Sequence, residues 1–315
     1  MNNQPEPKRQ TTPHERPVAV GAARRVIIAG GTGYLGRLIG VLLMKEGYEV
    51  LALGRGENAD LQWRENWQSS LEGAEAIINL SGETIAQKWT HMAQTNIIES
   101  RVSPTRKIGE ALANANHPPR IWINASAIGI YGNRGDEILD EDSPTGNSEE
   151  FLVKTCLEWE AAQDAFDLPR TAKAKVRVGV VLGHGGALPT LIKLAKAFLG
   201  GHAGSGQQYM SWIHEDDLAR LFLHVLERGE PGVFNGTAPN PVTNEAMMRE
   251  LRAMVGRPWS PPVPQFALRV AGALGAPDPE LLLHGQRVLP KRAEAEGFAF
   301  THHAVTTALK TLIRG

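Results

Sequence analysis

The chain has 315 residues, enough for one large domain or two intertwined ones with a real core, which excludes a peptide or a stapled miniprotein. With 33 Lys and Arg against 34 Asp and Glu the formal charge is −1, so no global field draws the chain to nucleic acid or an anionic membrane. The lone cysteine, Cys156, excludes an intramolecular disulfide and a cysteine metal cluster and agrees with a reducing, cytoplasmic compartment, while 33 glycines exceed the usual share of about 7%.

Residues 1–23 are rich in Pro, Gln and charge, include Glu6 and Glu15, and lack the apolar core of a secretory signal. They predict a disordered tail, and their acids disfavour a transit peptide. No apolar run approaches the ~18 residues that a spanning helix needs. From Arg25 the pattern changes. Val26-Ile27-Ile28-Ala29 predicts a strand, and a helical period follows through Leu35, Leu38, Ile39, Leu42 and Leu43 until Gly47. Further strands are expected over 48–53, 76–80, 121–124 and 176–182, with helices over 91–113 and 149–166. This alternation predicts an α/β fold, a Rossmann-type doubly wound parallel sheet covered on both faces. After about residue 240 the strand signal fades. Pro258, Pro261, Pro262 and Pro264 punctuate short helices, and Gly297-Phe298-Ala299-Phe300 reads as an edge strand before a final helix. The expected organisation is a nucleotide-binding domain over 24–240 and a smaller α+β substrate lobe over 241–315, with 183–207 contributing to the cleft between them.

The strongest motif is Gly30-Gly31-Thr32-Gly33-Tyr34-Leu35-Gly36. A dinucleotide's pyrophosphate sits against backbone N–H groups at a helix N-terminus, where side chains would hold it away. The motif follows an apolar strand directly and opens an amphipathic helix, the context it requires. About 20 residues on, an NAD-binding chain would place an acid against the ribose 2′-hydroxyl. Here stands Leu53-Gly54-Arg55, and an Arg suits a 2′-phosphate, so NADP(H) is expected, with a merely solvated Arg55 as the alternative.

These residues, with Asn79-Leu80-Ser81-Gly82, the block from Ala125 to Gly132, and Ser211-Trp212-Ile213-His214-Glu215-Asp216-Asp217-Leu218, resemble an extended short-chain dehydrogenase/reductase. The chain is similar in particular to the atypical "epimerase family" of nucleoside-diphosphate-sugar epimerase-like proteins, sometimes labelled SulA-like, over about residues 25–313. The resemblance implies NADP(H) held by Gly30, Gly31, Thr32, Gly33, Tyr34, Leu35, Gly36, Arg55, Leu80, Ser81 and Gly82. It also implies a small-molecule substrate and a Tyr and Lys four residues apart that handle the substrate's proton. Alignment on Glu160 places Leu152 at the Tyr position and Cys156 at the Lys position, so that pair is absent. Arg101 and Cys156 replace an Asn and the Lys, as they do in this subgroup. Ser126 corresponds to the family's catalytic Ser only with a one-residue slip; without it Ala127 takes the place.

Candidates for chemistry are therefore Arg101, Ser126, Cys156 and His214. Each has a plainer alternative. Leu152, Cys156 and Trp159 share a helix face, where a cysteine is a small apolar residue; its sharper role is a thiol ionised by Arg101 beside the nicotinamide. His214 fits either acid–base work or a strand-to-helix corner, with Asp216 or Asp217 near the cap. Tyr131 is expected to pack, Trp89 to line the cleft or the core, and Arg177 to orient its strand. The glycine-rich stretch 183–211 is long enough for a lid. No HExxH or comparable spacing supports a metal, and no GxSxG elbow supports a serine hydrolase. Two functions follow: an NADP(H)-dependent oxidoreductase or epimerase-like enzyme, or a non-catalytic NADP(H)-binding regulatory or redox-sensing protein.

Overall fold

The structure, a computed structural model, describes residues 24–314; the tail expected over 1–23 lies outside the described residues. In chain order the strands are β1 (Arg24–Ala29), β2 (Tyr48–Gly54), β3 (Leu61–Gln62), β4 (Ala76–Asn79), β5 (Ile121–Ala127), β6 (Ile138–Leu139), β7 (Ala172–Val178), β8 (Val180–Leu182), β9 (Tyr209–Met210), β10 (Trp212–His214), β11 (Gly232–Gly236), β12 (Val242–Thr243) and β13 (Arg287–Val288). The helices are α1 (Tyr34–Lys45), α2 (His91–Asn114), α3 (Phe151–Asp164), α4 (Leu188–Lys196), α5 (Glu215–Arg228), α6 (Asn244–Met254), α7 (Gln265–Ala273), α8 (Glu280–Leu283), α9 (Lys291–Ala295) and α10 (Val305–Arg314).

Seven strands form one parallel sheet in the order β11-β7-β5-β4-β1-β2-β3. Its near-continuous apolar strands bury both faces, as a sheet covered by helices on each side requires. Val26, Ile28, Ile78 and Ile123 pack with Ile39 of α1 and Leu221 and Phe222 of α5. The alternate residues Ile27, Ile77 and Trp122 pack on the other face with Ile108 and Leu112 of α2. Order reverses between β1 and β4, so the chain diverges there and leaves a crevice at the strands' carboxyl ends.

A second core joins Leu182 of β8 and Trp212 of β10 to α4, α6 and α10 through Leu188, Ala195, Met247, Leu251 and Leu309. It draws on chain from both sides of residue 240. Conversely, Ala293, Phe298 and Phe300 join the core of the main sheet. Among the described residues no helix is long and apolar enough to cross a membrane.

Several expectations need correction. The stretch 176–182 is two strands: Gly179 breaks the run, because a Cβ there would lie 2.5 Å from the Ser211 carbonyl oxygen, and β8 leaves the main sheet to pair with β10. Residues 297–300 form no strand. Their alternation instead drives Phe298 and Phe300, edge to face at 4.8 Å, into the core. On the β7 side the edge of the main sheet is β11, whose short, glycine-flanked sequence hid its strand character. The stretch 183–211 holds helix α4, so it is no continuous loop.

Candidate functional site

The crevice is floored by the turn between β1 and α1. Gly30 has φ +79°, and a Cβ there would come within 3.0 Å of the Leu80 carbonyl group. At Gly36 a Cβ would lie 2.4 Å from the Gly30 carbonyl oxygen, so this glycine seats the helix on the turn itself. Gly31 serves packing rather than ligand approach, since its Cβ would strike Ala52 on β2 at 2.7 Å. Gly33 is the N-cap of α1 and contributes no side-chain cap, which leaves the positive end of the helix open toward the groove.

A groove of about 390 Å³ runs over this turn, lined by Gly30, Thr32, Gly33, Arg55, Leu80, Ser81 and Gly82 and bounded by Trp63, Ser103 and Lys107. The Leu80–Gly82 wall is set from below. Asn79 donates to Asn124 at 2.6 Å and to Thr105 at 3.0 Å, all three buried, and its own oxygen accepts from the Ser81 N–H. The Ser81 hydroxyl is buried yet has no hydrogen-bond partner among the described residues. Arg55 is 82% exposed and makes one long, solvated ion pair, to Glu83 at 3.8 Å, which an anion at the end of β2 could displace. These features fit a dinucleotide: an uncapped helix N-terminus over a glycine turn, an orphaned hydroxyl, and an exposed cation at the end of β2.

Arg101 lies beside this wall. It donates to the carbonyls of Ile97 and Glu83, both at 2.9 Å, and covers Gly82, so its guanidinium ties α2 to the groove's wall. Burial holds its pKa below the usual guanidinium range. Cys156 of α3 is 3% exposed beside Ile128 and Tyr131. Burial, then the Glu160 carboxylate, push its thiol up to about 12, so the neighbouring Arg101 does not make it a thiolate at neutral pH. Ser126 donates to Glu160 at 2.6 Å, 2% exposed, on the side of β5 that faces α3's carboxylate. Glu160 also accepts from Arg177, which donates in turn to Tyr131, and Tyr131 donates to Asn235. Tyr131 thus packs with its hydroxyl engaged. The Trp89 ring lies 4.8 Å from that of Phe151, tilted by 58°, and its indole N–H donates to the Ile85 carbonyl, where 85–89 meets the amino end of α3.

His214 is the N-cap of α5: its Nδ1 accepts from Asp216 N–H, its Nε2 lies 3.3 Å from the Thr311 hydroxyl, and its ring stacks on His302 at 3.6 Å. Burial and the nearby His302 lower its pKa. Both nitrogens therefore face protein. Asp217, expected near the cap, accepts from the backbone of Thr301 and His302 and pins the carboxyl-terminal chain to α5.

Three side chains that sequence reasoning did not bring together meet over the turn. Tyr34, the first residue of α1, hydrogen-bonds Glu215. Glu215 accepts from the backbone N–H of His184 at 3.1 Å and lies 2.5 Å from His184 Nδ1. Gly183 and Gly185 press on Tyr34 so closely that a Cβ on Gly185 would lie 2.6 Å from the ring. The residues just after β8 thus meet the first residue of α1.

Comparison with known proteins agrees with this geometry. Residues 26–235 match the NAD dependent epimerase/dehydratase family, and residues 263–312 match a domain of unknown function, DUF1731. A relative from Arabidopsis thaliana, "Epimerase family protein SDR39U1 homolog, chloroplastic", is 35% identical over 307 residues, covering 92% of this chain and 86% of its own. "Epimerase family protein YfhF" of Bacillus subtilis is 34% identical over 299 residues, covering 91% and 97%. The crystal structure of human epimerase family protein SDR39U1 (isoform 2) with NADPH superposes with a TM-score of 0.86 at 32% identity, covering 92% of this chain and 99% of that one.

Proposed function

The chain belongs to the NAD dependent epimerase/dehydratase family, as an atypical extended short-chain dehydrogenase/reductase, and on that premise we propose that it binds NADP(H) and acts as an oxidoreductase or epimerase-like enzyme on a small substrate. The observation that carries this reading is the groove itself: an uncapped helix N-terminus on the glycine turn, walled by the partnerless Ser81 hydroxyl and ended by the exposed Arg55. Its likeness to a human relative solved with NADPH supports the same cofactor. Gly30, Thr32 and Gly33 would seat the pyrophosphate on the turn that Gly31 and Gly36 hold closed by packing, with Tyr34 and Leu35 opening the helix; Leu80, Ser81 and Gly82 would meet the adenosine side and Arg55 the 2′-phosphate. Bound NADPH supplies a hydride.

In this reading the usual Tyr–Lys pair is missing, with Leu152 and Cys156 in its place. Arg101, Ser126, Cys156 and His214 would not exchange substrate protons in this reading, because hydrogen bonds or burial commit each to the protein. Trp63 lines the groove, so NADPH binding is expected to quench tryptophan emission. The expected titration is saturable for NADPH and at least tenfold weaker for NADH. Absence of both quenching and thermal stabilisation by either nucleotide would refute the reading. A second reading, a non-catalytic NADP(H)-binding regulatory or sensing protein, is favoured by one observation: the thiol at the Lys position is buried and held un-ionised.

A further inference from the structure

A protein that reduces a carbonyl must also hand a proton to its oxygen, and α3 offers no group for that at the family's usual place. The His184–Glu215 pair is built differently from every other histidine contact described above. Its imidazole is 74% exposed, whereas Glu215 is 7% exposed. Nδ1 is fixed on the carboxylate at 2.5 Å and the residue's own N–H is fixed on the same group at 3.1 Å, so ring and backbone are both oriented. Nε2 has no partner among the described residues. A buried carboxylate on Nδ1 and a free Nε2 is the arrangement by which a histidine is kept in one tautomer for proton transfer.

Position supports the same conclusion. His184 follows β8, which carries the chain on from β7 past Gly179 and pairs with β10 outside the main sheet. Glycines flank it on both sides, and Gly183 and Gly185 rest on Tyr34 within the turn that would hold the pyrophosphate. A larger side chain at either flank would lift His184 away from the crevice.

We propose that His184, oriented by Glu215, is the group that exchanges a proton with the substrate oxygen. This rests on the NADP(H) reading above. In the reducing direction the imidazolium form of His184 gives up its Nε2–H proton as an O–H bond forms on the substrate's carbonyl oxygen, whose carbon receives the hydride of the reduced nicotinamide, and the ring is left neutral with its remaining proton on Nδ1 against Glu215. The carbonyl π pair becomes the oxygen's bonding pair, and Nε2 recovers its proton from water. Oxidation of an alcohol runs the same transfers backwards.

The test begins with diethyl pyrocarbonate, read by peptide mass spectrometry, with exposed His117 and His303 as internal standards. His184 is expected to react in the free protein and at least fivefold more slowly at saturating NADPH, while the standards are unchanged. Equal reaction with and without NADPH overturns the proposal. Imidazole nitrogen NMR is expected to show a single Nδ1-protonated tautomer at pH 8 that becomes a mixture in Glu215→Gln; a mixture in the unsubstituted protein overturns it. With 9,10-phenanthrenequinone as the carbonyl probe, His184→Gln is expected to lose at least 30-fold in kcat with its NADPH Kd within twofold. Retained kcat in that variant, lost NADPH affinity in it, or no turnover by the unsubstituted protein each overturns the proposal. If the unsubstituted protein fails to bind NADPH at all, the cofactor reading falls first, which separates the two failures.

Discussion

Arg177 grips Glu160 with two nitrogens, Nε on Oε1 at 2.9 Å and Nη2 on Oε2 at 3.0 Å, while both side chains are 9% exposed. Desolvation works against the guanidinium's charge, but the Glu160 carboxylate outweighs it and holds the pKa above the usual range. The pair spans α3 and β7, and Ser126 and Tyr131 complete it from β5 and the turn after it. Removing one partner leaves the other charged and buried. Arg177→Met is therefore expected to cost about 3–5 kcal/mol in urea unfolding, and a loss below about 1 kcal/mol would show that the pair is solvated.

Cys156 supplies an alkaline test. Its unfolded thiol ionises near the ordinary value of 9.0, whereas the folded one is pushed up to about 12. The raised folded pKa gives a contribution that is complete below pH 9 and lost as pH rises toward 12. Stability is expected to fall by about 1.4 kcal/mol per pH unit from this group across that window. Tyr48 and Tyr131, also raised by burial, add slopes of the same sign at higher pH. Cys156→Ala should flatten the first part of the slope, and native protein should resist iodoacetamide at pH 8. An unchanged slope in the variant would contradict the assignment.

His214 makes the opposite prediction on the acid side. Its folded pKa is depressed from 6.5, chiefly by burial. The contribution is present above pH 6.5 and is lost as pH falls toward the depressed folded value, where the unfolded chain already binds the proton. His224, depressed for the same reason, acts in the same direction. His214→Asn preserves an N-cap acceptor, so its melting temperature is expected to fall less between pH 6.5 and 5 than that of the unsubstituted protein.

Cofactor choice is expected to turn on Arg55. Arg55→Asp should weaken NADPH by about 1.5–3 kcal/mol, the usual value of a charge-assisted contact, or roughly 10- to 150-fold in Kd. NADH should be spared. Parallel titrations by tryptophan quenching check this, and equal losses for the two nucleotides would remove Arg55 from the 2′-phosphate.

The glycine turn was legible in the sequence because its requirements are local: a strand, a positive φ and a helix start lie within a dozen residues. The helices around Leu38 and Cys156 were legible through their period. What escaped was set by partners distant in the chain. Asn79 looked like the end of a strand, yet it is Thr105 and Asn124 that make it the support of the groove wall. Ser126 took the family's catalytic Ser position only with a one-residue slip, and nothing in its neighbours along the chain showed that Glu160, on another element, would accept from its hydroxyl. His184 was only one residue of the glycine-rich stretch 183–211, and the fold alone brings Glu215 to it and Tyr34 to Glu215. The alternating Phe298 and Phe300 imitated an edge strand because a chain laying every second ring into a core shares that period.

The break at Gly179 has a consequence for how the molecule melts. A single residue separates β7, in the middle of one core, from β8, at the heart of the other. The Asp217 contacts to 301–302 return the carboxyl-terminal chain to α5, closing the connection a second time. Neither core can lose its order without pulling a central strand out of its neighbour, so the two should behave as one cooperative unit. Calorimetry is expected to give a single transition whose van't Hoff and calorimetric enthalpies agree, and two resolved transitions would show that the cores are energetically independent.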